Sequence, residues 1–189
     1  MFVLPAEIIL WDTEYTAWEG SKARKWSAPG EHREIVQIGA IQYNTLKNEE
    51  QRHFDVLIKP LQNPKLSDFF VELTGLDQSL IDRKGTDFKS ALNAFDVWTG
   101  NVPCYSYGRD FLVLRENCDL NGLPMLEKEF IDIRDYFREL GIDTTLYSSG
   151  TIVEAFGEKS IRYAHNAMND ARTIRDAIRL SLRNAGEIN

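Results

Sequence analysis

The stretch REIVQIGAIQYN (Arg33–Asn44) is nearly continuous in apolar and β-favouring residues, and it constrains the fold more than any other segment. A strand written this way has no polar face to offer water, so it must lie inside a sheet that is covered on both sides. EIILWD (Glu7–Asp12) has the same character, and RHFDVLIKP (Arg52–Pro60) follows the central run across the short polar connection NTLKNEEQ. A connection that short predicts an antiparallel meander of three strands. Beyond Pro64 the period changes. SDFFVELTGL and Phe88–Gly100 predict helices, the latter with Ala91, Leu92, Phe95 and Trp98 at helical spacing and a closing glycine. NVPCYSYG predicts a strand, DFLVLRENCDLNG a helix, EFIDI a strand and RDYFREL a helix. SSGTIVEAFG and NAMNDARTIRDAIRLSLRN predict two closing helices. Three strands followed by strands alternating with helices imply an α/β fold, a mixed central sheet of about five strands flanked by helices. No linker, repeat or low-complexity segment divides the chain, so residues 1–189 are expected to form a single domain.

The totals exclude some function classes. Composition is 43% hydrophobic and 27% charged, as in soluble globular proteins, and the net charge of −7 argues against a protein that coats duplex nucleic acid. Cys104 and Cys118 lie in separate predicted elements without zinc spacing, which favours a reducing, cytoplasmic location. The start, MFVLPAEIILWD, carries no basic segment, and Pro5 and Glu7 interrupt its apolar run. Neither a signal peptide nor a membrane span is expected.

Candidate chemistry is scattered, and each piece has a plain structural reading. Asp12 and Glu14 are two apart on a strand, hence on one face and about 6–7 Å apart. Oxygen ligands so placed suit Mg²⁺ or Mn²⁺, but solvated strand-end charges are commoner. Asp110, where a strand hands over to a helix, could be an N-cap and nothing more. His165 and Asp170, five residues apart in YAHNAMNDAR, would diverge by about 140° on a regular helix. They can converge only if His165 precedes the helix, with Asn166 as its N-cap and Ala167, Ala171, Ile174 and Ile178 as its inward stripe.

Taken in order, D-x-E ending an N-terminal strand, a mid-chain Asp after an apolar strand, and H-x-x-x-x-D opening a C-terminal helix resemble the DEDDh 3′→5′ exonucleases of the ribonuclease H-like superfamily. The likeness runs from Glu7 to Arg183. EIVQIGAI is similar to that family's second strand, LTGL (Leu73–Leu76) to its loop-helix segment, and HNAMNDAR to its third motif. DTEYTAWEG is similar to the exoribonuclease branch. The resemblance implies that Asp12, Glu14, Asp110 and Asp170 hold two divalent cations, Mg²⁺ or Mn²⁺, about 3.5–4 Å apart around the scissile phosphate. It implies that His165 serves as general base, its ordinary pKa of about 6.5 suiting the task. The expected reaction releases nucleoside 5′-monophosphates from single-stranded 3′ ends, RNA before DNA. Tyr15, Thr16, Trp18 and Leu76 are expected to contact the terminal nucleotide.

Lys22, Arg24, Lys25 and Arg33, with Trp18 and Trp26, form a basic and aromatic segment that could hold single-stranded backbone or could simply be a surface loop. Tyr107 and Phe111, beside Asp110, are expected in the core, and Asp132 in a structural role. His32 and His53 have no partner pattern. Two other readings stay open: a DNA-directed proofreading or repair exonuclease, and a non-catalytic nucleic-acid-binding module on the same fold.

Overall fold

The computed structural model of the chain describes residues 2–184. Residue 1 and residues 185–189, which the single-domain expectation includes, lie outside them. β1 (Glu7–Tyr15) leads through the short α1 (Ser21–Arg24) to β2 (Ile35–Asn44) and β3 (Glu49–Leu57). Then come α2 (Asp68–Thr74), α3 (Gln78–Lys84), α4 (Phe88–Thr99), β4 (Cys104–Ser106), α5 (Asp110–Leu120), β5 (Phe130–Asp132) and α6 (Arg134–Glu139). A 3₁₀ helix (Ile152–Phe156) and the long α7 (Ala167–Asn184) complete the order. The strands form one sheet in the order β3-β2-β1-β4-β5. The β3–β2 and β2–β1 pairs are antiparallel, and β4 and β5 run parallel to β1. This is the expected mixed sheet with its antiparallel meander.

β2 is buried along its whole length, as its composition demanded. Side chains alternate along β1, so Ile8 and Leu10 enter the core beneath α6, the 3₁₀ helix and α7. Ile9 and Trp11 enter the opposite core with residues of α4 and α5. A third apolar cluster joins Ala17, Phe70, Leu76 and Ile81 to Val36 near the start of β2. Among the described residues no helix is long and apolar enough to cross a membrane.

Several boundaries differ from the sequence reading, each for a local reason. β1 does not stop at Asp12, because β2 goes on pairing with it: Asp12 faces Gly39, Thr13 faces Ile38 and Glu14 faces Gln37. β3 begins three residues early, on the polar Glu49–Gln51, which an edge strand tolerates. SDFFVELTGL stops as a helix at Thr74, where Gly75 turns left-handed, and Asp77 caps a separate α3. SSGTIVEAFG forms a 3₁₀ turn rather than an α-helix and ends at the left-handed Gly157.

The first turn of α7 presses directly on β2. A Cβ at Gly39 would lie 2.2 Å from the Met168 backbone nitrogen and 2.4 Å from the Ala167 carbonyl carbon, so only glycine allows the approach. Beside it, the buried Gln37 Oε1 accepts the Ala167 N–H at 3.0 Å, while Gln37 Nε2 donates to Asp55 at 2.9 Å. Gly39→Ala is expected to displace α7 and cost about 1–3 kcal/mol or more. In a chain of this size that is a fall in melting temperature of about 2–4 °C per kcal/mol. A wild-type melt for this variant would refute the close-approach argument.

Candidate active site

The alternation that sends Ile8 and Leu10 under α7 sends Asp12 and Glu14 to the same face, past the point where that core ends. α7 brings Asp170 down onto them. Asp12, Glu14 and Asp170 are 6%, 8% and 4% exposed, and one oxygen from each lies within 4.8 Å of the others. The helix begins as expected. Asn166 Oδ1 accepts the Asn169 N–H at 3.2 Å, and Ala167, Ala171, Ile174 and Ile178 are fully buried. His165 precedes the helix with φ at 62°, a left-handed conformation uncommon for a non-glycine residue. Its N–H donates to Asp170 Oδ2 at 3.3 Å, and its exposed ring lines the cleft above the acids. The pair therefore converges in the one way the helical geometry permitted.

Asp110 stands at the carboxyl end of β4, where parallel strands gather sites. It is the first residue of α5, with Arg109 rather than Asp110 in the cap position. Instead its Oδ1 accepts from Thr13 Oγ1 at 2.7 Å. Asp110 is outside the 4.8 Å triad but borders the same cleft. Asp132 holds the turn that delivers it, accepting the Gly108 N–H at 3.1 Å and pairing with Arg134. The structural role expected for Asp132 agrees with these contacts.

Burial pushes the Asp12 carboxyl well above the usual carboxylate range, and repulsion from Asp110, Asp170 and Glu14 adds to it. Glu14 is raised by burial and by Asp170 and Asp110. Asp110 is pushed up to about 6 by burial, against the Thr13 hydrogen bond. Asp170 is also pushed up to about 6 by burial, against hydrogen bonds from Ser149 and the His165 backbone. The Ser149 hydroxyl donates to Asp170 Oδ2 at 3.2 Å. Asp170 Oδ1 is buried without any hydrogen-bond partner. A cluster of hard oxygen donors, one orphaned and all costly to ionise alone, fits divalent cations of the Mg²⁺ or Mn²⁺ type. His165 shifts the other way, lowered by desolvation and by Lys22.

The cleft encloses about 550 Å³. Tyr15 and Trp18 line it as expected. Thr16 does not: its hydroxyl donates to the His32 carbonyl and accepts the Glu34 N–H, so its side chain is spent on the fold. Leu76 is 5% exposed within the third apolar cluster and is not part of the cleft wall. The wall instead uses Phe69 and Leu73, one helical turn apart on α2 and each 37% exposed. Their position within an amphipathic run gave no sign that they face solvent in a cleft. Tyr107 also lines the cleft, donating from its hydroxyl to the Thr144 carbonyl, whereas Phe111 packs on the core as expected. Of the basic segment, Lys22 and Trp26 reach the cleft. Arg24 pairs with Glu31, and Arg33 pairs with Glu116 while lying over the rings of Tyr15 and Trp26. Sequence reasoning missed Thr13, Gln37, Gly39 and Ser149. A lone glycine inside an apolar strand was the one signal that could have found Gly39.

The raised carboxyl groups set a sign for pH. With folded pKa values near 6 against about 3.9 unfolded, Asp110 and Asp170 contribute stability below about pH 4 that is lost as pH rises through about 6. In EDTA at pH 7.5, Asp170→Asn is therefore expected to melt several degrees above the native protein, with the gap narrowing from about pH 6 and closing only below about pH 4. Mg²⁺ is expected to stabilise the native protein more than the variant. An Asn variant that melts no higher at pH 7.5 would contradict the electrostatic account.

Comparison with known proteins accords with this geometry. Residues 9–177 match the RNase T family, described as exonuclease. The 3′-5′ exonuclease Snipper of Drosophila melanogaster is 30% identical over 194 aligned positions, covering 88% of this chain and 66% of its own. ERI1 exoribonuclease 2 of Mus musculus is 35% identical over 95 positions, half of this chain but only 13% of that protein. Among solved structures, the nuclease domain of 3′hExo, a DEDDh family member bound to rAMP, superposes with a TM-score of 0.81 at 24% identity, covering 97% of this chain and 95% of that one. Escherichia coli ExoI in its ssDNA complex reaches 0.70 at 17% identity over 97% of this chain and 42% of its own. A match spanning most of the length, on a sheet of the same order and with Asp12, Glu14, Asp110, His165 and Asp170 gathered at one cleft, places the chain in the RNase T exonuclease family.

Proposed function

We propose that this protein is a divalent-metal-dependent 3′→5′ exonuclease that removes nucleoside 5′-monophosphates one at a time from single-stranded 3′ ends, RNA in preference to DNA. The observation that carries the reading is the buried carboxylate triad at the floor of an open cleft, with Asp110 beside it. Asp12, Glu14, Asp110 and Asp170 are the residues that would hold two cations. Bound there, such cations lower the pKa of water and offset charge on the phosphate oxygens. His165, exposed over the acids and kept towards its neutral form, accepts the proton of the attacking water on a ring nitrogen. As the water oxygen bonds to phosphorus, the bond to the 3′ oxygen breaks, and that oxygen takes a proton from solvent to leave as the hydroxyl of the shortened strand. The left-handed backbone at His165 and its N–H bond to Asp170 fix the point from which the ring projects beside the acids.

Tyr15, Trp18, Phe69 and Leu73, which all line the cleft, suit stacking of terminal bases, which every base permits. The preference for RNA draws support from the names of relatives: the mouse protein is called an exoribonuclease, and the 3′hExo nuclease domain is bound to rAMP. Residues 1–189 are proposed to act as one exonuclease unit. Cys104 and Cys118, both free and buried, suit a reducing, cytoplasmic setting.

End-labelled RNA and DNA strands of matched sequence, digested with Mg²⁺, Mn²⁺ or EDTA, test this directly. Stepwise loss from the 3′ end is expected with either metal, faster on RNA, and none in EDTA. Faster cutting of DNA would favour the repair or proofreading reading, and binding without turnover in excess Mn²⁺ the non-catalytic one. Asp12→Ala and Asp170→Asn are expected to abolish release. His165→Ala is expected to lower kcat by about 10²–10⁴, and an unchanged kcat would remove His165 from the mechanism.

A further inference from the structure

A second groove, of about 360 Å³, lies between the outer face of α7 and the segment that joins the 3₁₀ helix to His165. Lys159, Arg162, Arg175, Arg179 and Arg183 line it, against two acids, Glu158 and Asp176, in a chain whose net charge is −7. The arginines are organised. Arg175, Arg179 and Arg183 recur every four residues and so share one face of α7. Arg162 and Arg175 are already paired, both with Asp176, at 2.5 and 2.7 Å, and Arg175 also with Glu50, so the cations left for a ligand are Lys159, Arg179 and Arg183. Lys159, Arg179 and Arg183 stay exposed. On the same segment Ile161 and Tyr163 are 87% and 91% exposed, an aromatic and an aliphatic surface among cations. Basic side chains with an exposed aromatic close by, here Tyr163 at the edge of the groove's segment, suit a surface that tracks a nucleic-acid backbone.

The groove and the cleft share no lining residue, but the same two chain segments lead from one to the other. The segment that walls it ends at His165, and α7 starts at Ala167 beside the acid triad. At 1.5 Å per residue, Arg175 and Arg183 lie about 12 and about 24 Å along the helix from that start. We infer that this groove binds the phosphate backbone of the strand upstream of the 3′ nucleotide being removed. The inference rests on the exonuclease reading for the identity of the strand, and on charge and position for the site.

The test pairs Arg179→Glu/Arg183→Glu with Lys159→Glu, all exposed positions outside the carboxylate cleft. Affinity for a labelled single strand of about 20 nucleotides, longer than a footprint of about 4–16, is read by fluorescence anisotropy in EDTA across a salt series. Turnover is read in Mg²⁺ on that strand and on a dinucleotide. The double variant is expected to weaken strand binding about tenfold and to reduce the slope of log affinity against log salt by about 1.4, two phosphate contacts at about 0.7 each. On the long strand KM is expected to rise with kcat unchanged, and on the dinucleotide neither is expected to move. Lys159→Glu is expected to act in the same direction from the other wall of the groove. Equal affinity and equal salt slope in native and variant proteins would overturn the inference, as would tighter binding to anionic phospholipid vesicles than to the strand. Native protein that binds the strand through the groove but cuts nothing would leave the inference standing and defeat the exonuclease reading instead.

Discussion

The contact on which the site depends is backbone against backbone. At Gly39 the absent side chain lets the first turn of α7 lie directly on β2, and Gln37 beside it takes up the Ala167 N–H. That seating determines the depth of Asp170. Asp12 and Glu14 are fixed by β1, one of them paired across the sheet with Gly39 itself and the other with Gln37. The two strand residues that dock the helix are thus the direct neighbours of the two acids that the helix must meet. Register, helix docking and carboxylate geometry form one constraint, so a shift in any of them moves all three.

That geometry opposes the stability of the protein that carries it. Burial raises all four carboxyl groups, and charge repulsion reinforces the shift at Asp12, Glu14 and Asp170. Hydrogen bonds from Thr13 and Ser149 relieve part of the cost, yet Asp170 Oδ1 has no partner. The surrounding fold carries the difference: two apolar layers, one on each face of the sheet, and a third cluster behind the cleft. Strain of this kind gathers at functional sites because a packed scaffold can hold it there.

Much of this was legible in the sequence, for reasons that differ by element. β2 declared itself because a strand buried on both faces cannot alternate. The acids and His165 were found through their order along the chain, since no single motif outweighed its structural reading. What stayed hidden depended on contacts distant in sequence. β1 runs past Asp12 because β2 is there to pair with it, which a window on residues 8–14 cannot reveal. Thr16 looks available until His32 and Glu34 claim its hydroxyl. Leu76 and Phe69 exchange roles because Gly75 turns the chain inward, burying the first and leaving the second on the cleft wall. Arg24 and Arg33 look like ligands for phosphate until Glu31 and Glu116 occupy them.

The polar outer strand of the sheet has a further effect. β3 presents Glu49, Glu50, Gln51, Arg52 and His53 in succession along one margin, and Glu50 is drawn back onto α7 by Arg172 and Arg175. An open margin of unpaired amides is a template on which another strand can add, and closely spaced charge makes such addition unfavourable. The polar composition of β3 thus makes the addition of a further strand at this margin unfavourable.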